Sequence, residues 1–585
     1  MAYATEDRAV SREIGLARIA IGLAQGVALW GLTEAADNKV WPATQGLLFG
    51  LLAMLVLLVP FVLLGGLAEM RRRPLIIWTV VAAAVLAVLG AHDIGRLAVG
   101  KAIDWVSART MIFSAVGLFI AHHLVAAADA DRRVIARFPT YFDLAWKHGV
   151  QMAMAVGFVG VFWIVLTLGG ALFKVIGIDF VETLIRKSWF AIPASTTMFA
   201  AAVQLTDVRH GLIRGIRTVA LTLLSWLLPV LVFLTAAFMA ALPFTGLDPL
   251  WKTRSAAAIL LSAAAVMIVL INAAYQDGEP DTPTPVVLRW AARVGGLLML
   301  PLVGVAAFAL WLRISQYGLT PDRIVASAFV IAGICYAVGY ALAAVLPGAW
   351  MKRLELTNIA TSFVVLALLI ALFTPIADPA RLSVNDQMAR LAAGKIKPEA
   401  FDYRFLRFES ERYGVAALGA LKTGGGEAGK RAAETLAVRH IGDMPPSPRP
   451  DRDPVYIDAL PAGTVLPAGF LAVQDRGEFD GPSACTDKAR PCVARMVDLD
   501  GDGTDEVVVD MGWSMTVWAP GTEGRWRQVG RFDDVCDREA TTLRDGKVET
   551  VAPQWRDLSV DGRRLNFRPD NEACPGPVPA PPAKR

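Results

Sequence analysis

The stretch Asp498-Leu499-Asp500-Gly501-Asp502-Gly503-Thr504-Asp505-Glu506 concentrates oxygen donors at alternate positions. Carboxylates at the first, third, fifth and ninth places, with the Thr504 carbonyl at the seventh, form a set suited to a hard divalent cation. Gly503 occupies the sixth place, where a calcium loop turns sharply and a residue without Cβ is favoured. Val509 stands at the twelfth, where a helix–loop–helix calcium loop requires a bidentate Glu, and no helical pattern follows. Asp498, Asp500, Asp502, Thr504 and Glu506 are therefore the candidate ligands of a structural calcium ion in a loop between strands. An acidic hairpin turn without metal is the plainer alternative.

Other chemistry is thinly represented. Gly424–Lys430 (GGGEAGK) has the spacing of a phosphate-binding loop, but Arg431 replaces the magnesium-ligating Ser or Thr and no strand precedes the glycines. It reads as a flexible connection between helices. His122 and His123 lie near Asp129 and Asp131 at the end of an apolar run, within reach of water, and read as helix-contact residues rather than a relay. Gln151, Gln204 and Asn272 are scattered. No Asp or Glu stands at the centre of an apolar run, which argues against an ion-coupled transporter. HExxH, GxSxG and CxxC patterns are missing, so no catalytic or cofactor-binding residue is assigned.

The elements that must carry these residues follow from composition. Of 585 residues, 55% are hydrophobic and 19% charged, the balance of a membrane protein. Eleven apolar runs are long enough to cross a bilayer, centred near residues 24, 56, 83, 118, 161, 197, 230, 265, 301, 335 and 367. In the first, Gly22 and Gly26 have the spacing that lets another helix approach closely. The last, Asn358–Ile376, separates an apolar block from a polar tail.

With a cytoplasmic N-terminus, basic residues divide roughly seventeen inside (Arg71–Arg73 and Arg132, Arg133 and Arg137 among them) to eleven outside. Eleven crossings then release the tail outside. Four tail cysteines suit an oxidising compartment, with Cys485–Cys492 and Cys536–Cys574 the expected pairs among three connectivities. The net charge of +4 lies in clusters flanking apolar runs, which carries no nucleic-acid signal.

Between and beyond the spans, Phe173–Lys187 reads as an amphipathic interfacial helix, either a plain connector or a gate. In Trp311–Arg323, Thr320 is an N-cap, Pro321 opens a helix and Asp322 lies at its positive end. Trp311 and Tyr317 fit an interfacial aromatic belt, and the alternative makes Arg313, Tyr317 and Arg323 a contact for a lipid headgroup or anion on the outer face. In the tail, helices are expected at Ser383–Gly394 (with Ser383 and Asp386 in capping-box spacing), Pro398–Phe405, Glu409–Leu421 and Glu427–Arg439. A Pro-rich linker, Met444–Pro454, leads to short alternating segments: CVARMVDLD, EVVVDMG, MTVWAP, RWRQVGRF and an Asp-Gly hairpin in LSVDGRRLNF.

Three segments resemble a bacterial family known as domain of unknown function 4153: RIAIGLAQGVALWGL (Arg18–Leu32), RISQYGLTPDR (Arg313–Arg323) and RLSVNDQMARLAAGKIKPEAFDYRFLRFESERYG (Arg381–Gly414). The resemblance covers roughly residues 10–420. It implies a multi-pass protein of the bacterial inner membrane, and no activity. The acidic loop itself resembles the strand–loop–strand calcium loops of integrin-type β-propeller repeats, although a single copy excludes a propeller.

The expected architecture is mostly α: a polytopic membrane bundle (1–377), a helical extracytoplasmic unit (378–443), a linker (444–454) and a β-rich periplasmic domain (455–585). Two functions fit it. The first is a non-enzymatic envelope component whose tail meets a protein partner, with membrane lipids around the bundle. The second is a transporter or lipid-handling protein acting at the outer face.

Overall fold

The structure, a computed structural model, describes residues 2–98, 105–208, 210–246, 256–278, 284–438, 456–471, 485, 491–510, 515–521, 526–532, 550, 558–560 and 563–565. Among these, fifteen α-helices run in chain order. They are α1 (Ala2–Asp37), α2 (Gly46–Gly66), α3 (Arg72–Gly95), α4 (Ala108–Asp131), α5 (Phe138–Val175), α6 (Phe180–Ile185), α7 (Ser188–Val208) and α8 (His210–Thr245). Then come α9 (Ala256–Tyr275), α10 (Val286–Tyr317), α11 (Pro321–Val345), α12 (Arg353–Leu372), α13 (Pro379–Ala392), α14 (Glu411–Gly424) and α15 (Gly426–Ala437). The chain forms two compact units: residues 1–396 with 406–423, and residues 397–405 with 424–585.

In the first unit, ten helices (α1–α5 and α8–α12) are long and apolar enough to cross a membrane. The eleventh expected span, α7, has 21 residues, but Ser195, Thr196, Thr197 and Gln204 lower its hydropathy. It runs antiparallel to α1. Ser188 Oγ bonds Glu34 at one end (3.0 Å), and Arg18 bonds Gln204 at the other (2.8 Å). Gly22 and Gly26 permit this approach: a Cβ on Gly22 would lie 2.7 Å from the Thr196 carbonyl oxygen, and one on Gly26 would collide with Pro193.

The polar residues that looked scattered also tie helices together. Asn272 closes a ring with Tyr340 and Asn358, at 2.6, 2.8 and 2.7 Å, across α9, α11 and α12. Gln151 Nε2 donates to the Val203 carbonyl, joining α5 to α7 (2.8 Å).

One end of this unit is closed by α13. Asp386 accepts from the Leu319 amide (2.7 Å), Gln387 donates to the Tyr317 and Leu319 carbonyls (3.1 Å each), and Arg390 donates to that of Gln316 (2.6 Å). Arg323 donates to the Gly318 carbonyl (2.8 Å), while Arg313 and Arg323 both lie over the Tyr317 ring. Thr320 caps α11, as its position suggests. Asp378 is fully buried; it caps α13 through the Ala380 and Arg381 amides and bonds His92 Nε2 (2.9 Å). Burial raises its carboxyl pKa, but the His92 hydrogen bond and the nearby Arg96 charge outweigh that and hold it below the usual value.

Several boundaries differ from the sequence reading. The expected interfacial helix breaks at Gly177 (φ +81°), leaving α5 to run through Val175 and a six-residue α6. Asp378 rather than Ser383 caps α13, because Pro379 suits the first turn; Ser383 lies within the helix. Pro398–Ala400 is a short 3₁₀ turn and Phe405–Glu409 a π-helical turn, not one helix. Both α13 and α14 group chiefly with the spanning helices, whereas the sequence segments set them apart. The GGG stretch is the junction of α14 and α15, with Gly425 and Gly426 at φ +70°.

The second unit contains a five-stranded sheet in the order β1 (Ile457–Leu460), β2 (Cys492–Val497), β3 (Glu506–Asp510), β4 (Met515–Pro520) and β5 (Trp526–Phe532). β1 pairs parallel to β2, and the other neighbours are antiparallel. β3 is buried throughout, with Val507 and Val509 in a cluster with Phe470, Trp518 and Trp526, and Val508 in another with Met515 and Val517. The Cys485–Cys492 disulfide belongs to the first cluster. β6 (Leu558–Val560) and β7 (Arg563–Leu565) form the expected hairpin. Cys536, Cys574 and the linker at 444–454 lie outside the described residues.

The α2–α3 crossing gives a direct test of the packing. A Cβ on Gly90 would collide with the Gly50 carbonyl, and one on Gly50 with that of Gly90. Gly50→Val or Gly90→Val should destabilise the bundle by about 3 kcal/mol in a detergent melt, while Gly160→Ala, in open space, should change it little.

Candidate functional site

The acidic loop joins β2 to β3, and the Val497–Glu506 pair closes it. Donor oxygens of Asp498, Asp500 and Glu506 all lie within 4.8 Å of one another. Asp498 accepts from the Gly501 and Gly503 amides (2.8 and 3.1 Å), Asp500 from Asp502 (3.1 Å) and Glu506 from Leu499 (2.8 Å). Gly501 and Gly503 have φ of +78° and +85°, which permits this curl. Thus three of the five predicted ligands converge. The Asp502 carboxylate instead accepts from the Thr504 amide (2.7 Å).

A second constellation lies among the spanning helices, and sequence reasoning missed most of it. Arg18 of α1, only 2% exposed, pairs with Asp207 of α7 (3.0 Å) and donates to the Leu64 carbonyl of α2 (3.1 Å). Asp207 also meets Lys147 of α5 (3.0 Å), which meets Glu69 in the α2–α3 turn (2.5 Å). Glu69 faces His148 Nε2 (3.0 Å), and His148 Nδ1 lies 2.9 Å from His123 Nε2 on α4. His123 Nδ1 then contacts the Phe119 carbonyl at 2.6 Å. Beside this chain, His122 Nδ1 accepts from Trp78 Nε1 (3.1 Å).

Glu69 lies outside the spanning segments, and opposing influences act on it. Burial raises its pKa, whereas the His148 hydrogen bond and the charges of His148 and Lys147 lower it further, to about 2. It is therefore a carboxylate at neutral pH.

The cluster stands at the end of a cavity of about 370 Å³ between α2, α4, α5 and α7. Phe61, Val62, Phe119 and Val203 contribute to apolar walls, and His122, His123 and His148 supply polar lining. Val116 and Met152, on its rim, are 47% and 40% exposed. Sequence offered one usable signal: Lys147-His148 within a mostly apolar 38-residue helix. Glu69 and Asp207, near span ends, gave no sign of pointing to the same place.

A family match now joins these observations. Residues 49–421 match the family described as Domain of unknown function (DUF4153), and the chain belongs to it. Its ten long apolar helices make it a multi-pass membrane protein. The match contains two of the three segments quoted above; Arg18–Leu32 precedes it. No curated protein and no solved structure matches the chain.

If the convergent carboxylates take calcium, the metal relieves their mutual repulsion. At 100 times its dissociation constant it adds about 2.7 kcal/mol. Full-length protein should show a tail transition that melts higher with calcium than with chelator, and Asp500→Ala should abolish the difference. An unchanged melt in millimolar calcium leaves the loop an ordinary turn.

Proposed function

We propose that this protein handles lipid-like molecules in the bacterial inner membrane, holding an amphiphile in the cavity between α2, α4, α5 and α7. The observation that carries this reading is an apolar cavity ending on three buried histidines, one of which, His148, meets the ionic cluster behind it. Its volume, about 370 Å³, falls within the roughly 300–1,000 Å³ of ligand pockets, and a few polar groups at one end suit a headgroup. Exposed Val116 and Met152 open its rim toward the surrounding acyl chains.

This differs from a lipid contact at the outer Arg313–Arg323 loop. That loop holds α13, and Arg109 near the start of α4 bonds Asp322 beside it (3.1 Å). The cavity spans the middle of α4 from Ala115 to His123, with its histidines toward the other face. By the distribution of basic residues that other face is cytoplasmic, lying with Arg71–Arg73 and Arg132.

Counting α7 as a crossing, because it accompanies α1 along its length, gives eleven and carries the tail outside. There the β domain, with its disulfide and acidic loop, is offered to an envelope partner.

Mass spectrometry of protein extracted in mild detergent should find about one bound amphiphile per chain. Ala115→Trp, on the exposed rim, should reduce its recovery at least fivefold without changing the melt. Equal recovery from both proteins, or none from either, would sink this reading.

Topology has its own test. A reporter active only in the cytoplasm and fused after Arg585 should be silent, while an export-dependent one should be active. The reverse result would place the tail inside.

A further inference from the structure

The protons needed by the histidine chain identify the headgroup. His123 Nδ1 faces the Phe119 carbonyl, so that contact requires a proton on Nδ1 (2.6 Å). The His123 Nε2–His148 Nδ1 contact requires another (2.9 Å), and the His148 Nε2–Glu69 contact a third (3.0 Å). Two neutral imidazoles supply only two protons. With Glu69 ionised, the third belongs to the rings, and the His123–His148 pair carries one positive charge. Without it, two buried lone pairs would face each other, which is costly.

Among the described residues, four charged groups belong to this cluster. Glu69 and Asp207 are negative, while Lys147 and Arg18 are positive, so these four cancel. The added ring proton leaves the cluster at +1.

His122 supplies a separate observation. It accepts from Trp78 through Nδ1, so the neutral ring carries its proton on Nε2. Nε2 is buried and has no acceptor among the described residues, while the residue is only 6% exposed. Both His122 and Gly65 line the cavity, and a Cβ on Gly65 would lie 3.2 Å from Nε2. An unmet N–H donor thus stands beside a cluster whose net charge is +1. The His122 ring is 5.7 Å from that of His123 and 5.8 Å from that of His148.

We propose that the cavity selects an anionic amphiphile: its carboxylate or phosphate oxygen accepts from His122 Nε2–H and balances the His123–His148 charge, and its apolar chain fills the cavity. This rests on the amphiphile reading above and adds the sign of the headgroup. A neutral alcohol of the same chain length meets the donor but not the charge. A cationic amphiphile meets neither.

The test uses delipidated full-length protein in detergent with radiolabelled hexadecanoate, hexadecanol and dihexadecanoyl phosphatidylglycerol. At pH 7.5, one or both anionic probes should bind at least tenfold more tightly than hexadecanol, and whichever does identifies the carboxylate or phosphate source. His148→Gln should erase the preference, and Gly65→Ala should weaken the anionic probes by crowding Nε2. Where a variant fails to fold, the wild-type comparison of anionic probes with hexadecanol decides.

Failure of all three probes to bind overturns the amphiphile reading itself. Equal binding of acid and alcohol leaves that reading standing and overturns the anionic headgroup.

Discussion

An ionic side chain among spanning helices has to find its counter-charge within the protein, because the hydrocarbon around it offers neither water nor ions. Arg18, 2% exposed, imposes this requirement on its neighbours. Asp207 answers it, Lys147 answers Asp207, Glu69 answers Lys147, and His148 completes the series. These contacts fix α1, α5, α7 and the α2–α3 turn relative to one another, and His123 brings in α4. Loss of one member strands the next charge, typically at a cost of about 3–5 kcal/mol for a buried pair. The cavity walls are the same helices, so the charges that position the bundle also shape the candidate site.

The opposite end of the bundle uses the same logic with backbone groups. The α10–α11 connection turns through Gly318 at φ +79°, leaving the carbonyls of Gln316, Tyr317 and Leu319 to be satisfied. Gln387 and Arg390 of α13 donate to them, and Asp386 takes the Leu319 amide. The two family segments RISQYGLTPDR and RLSVNDQMAR are therefore two sides of one contact. Their residue types follow from polar backbone that must be paired where a chain leaves the membrane. Asp93 does similar service nearby, accepting from the Ser107 amide (2.7 Å) and the Thr110 hydroxyl (2.6 Å) at the start of α4.

The tail packs as a small β domain. Its central strand β3 buries alternate valines on both faces, and Trp518, 1% exposed, packs with Phe470 beside the disulfide. Glu506 illustrates how structure and site share a residue. It pairs with Val497 at the mouth of the hairpin, accepts from the Leu499 amide, and aims toward Asp498 and Asp500.

Sequence by itself determined the class of protein, the extent of the apolar block, most of the helices, the strand segments and the acidic loop. Those properties reside in local composition and periodicity: about 20 apolar residues make a span wherever they occur, and alternation makes a strand. It also suggested the Gly22–Gly26 contact surface, though not which helix would meet it. Only tertiary structure decided the rest. Lys147 and Glu69 are 78 positions apart, and Arg18 and Asp207 are 189 apart. Read singly, Glu69 and Asp207 are acidic residues near the ends of apolar runs, and His122 and His123 are helix contacts. Their shared chemistry arises from the crossing of helices whose facing sides are set by packing, and no local pattern encodes which charge meets which.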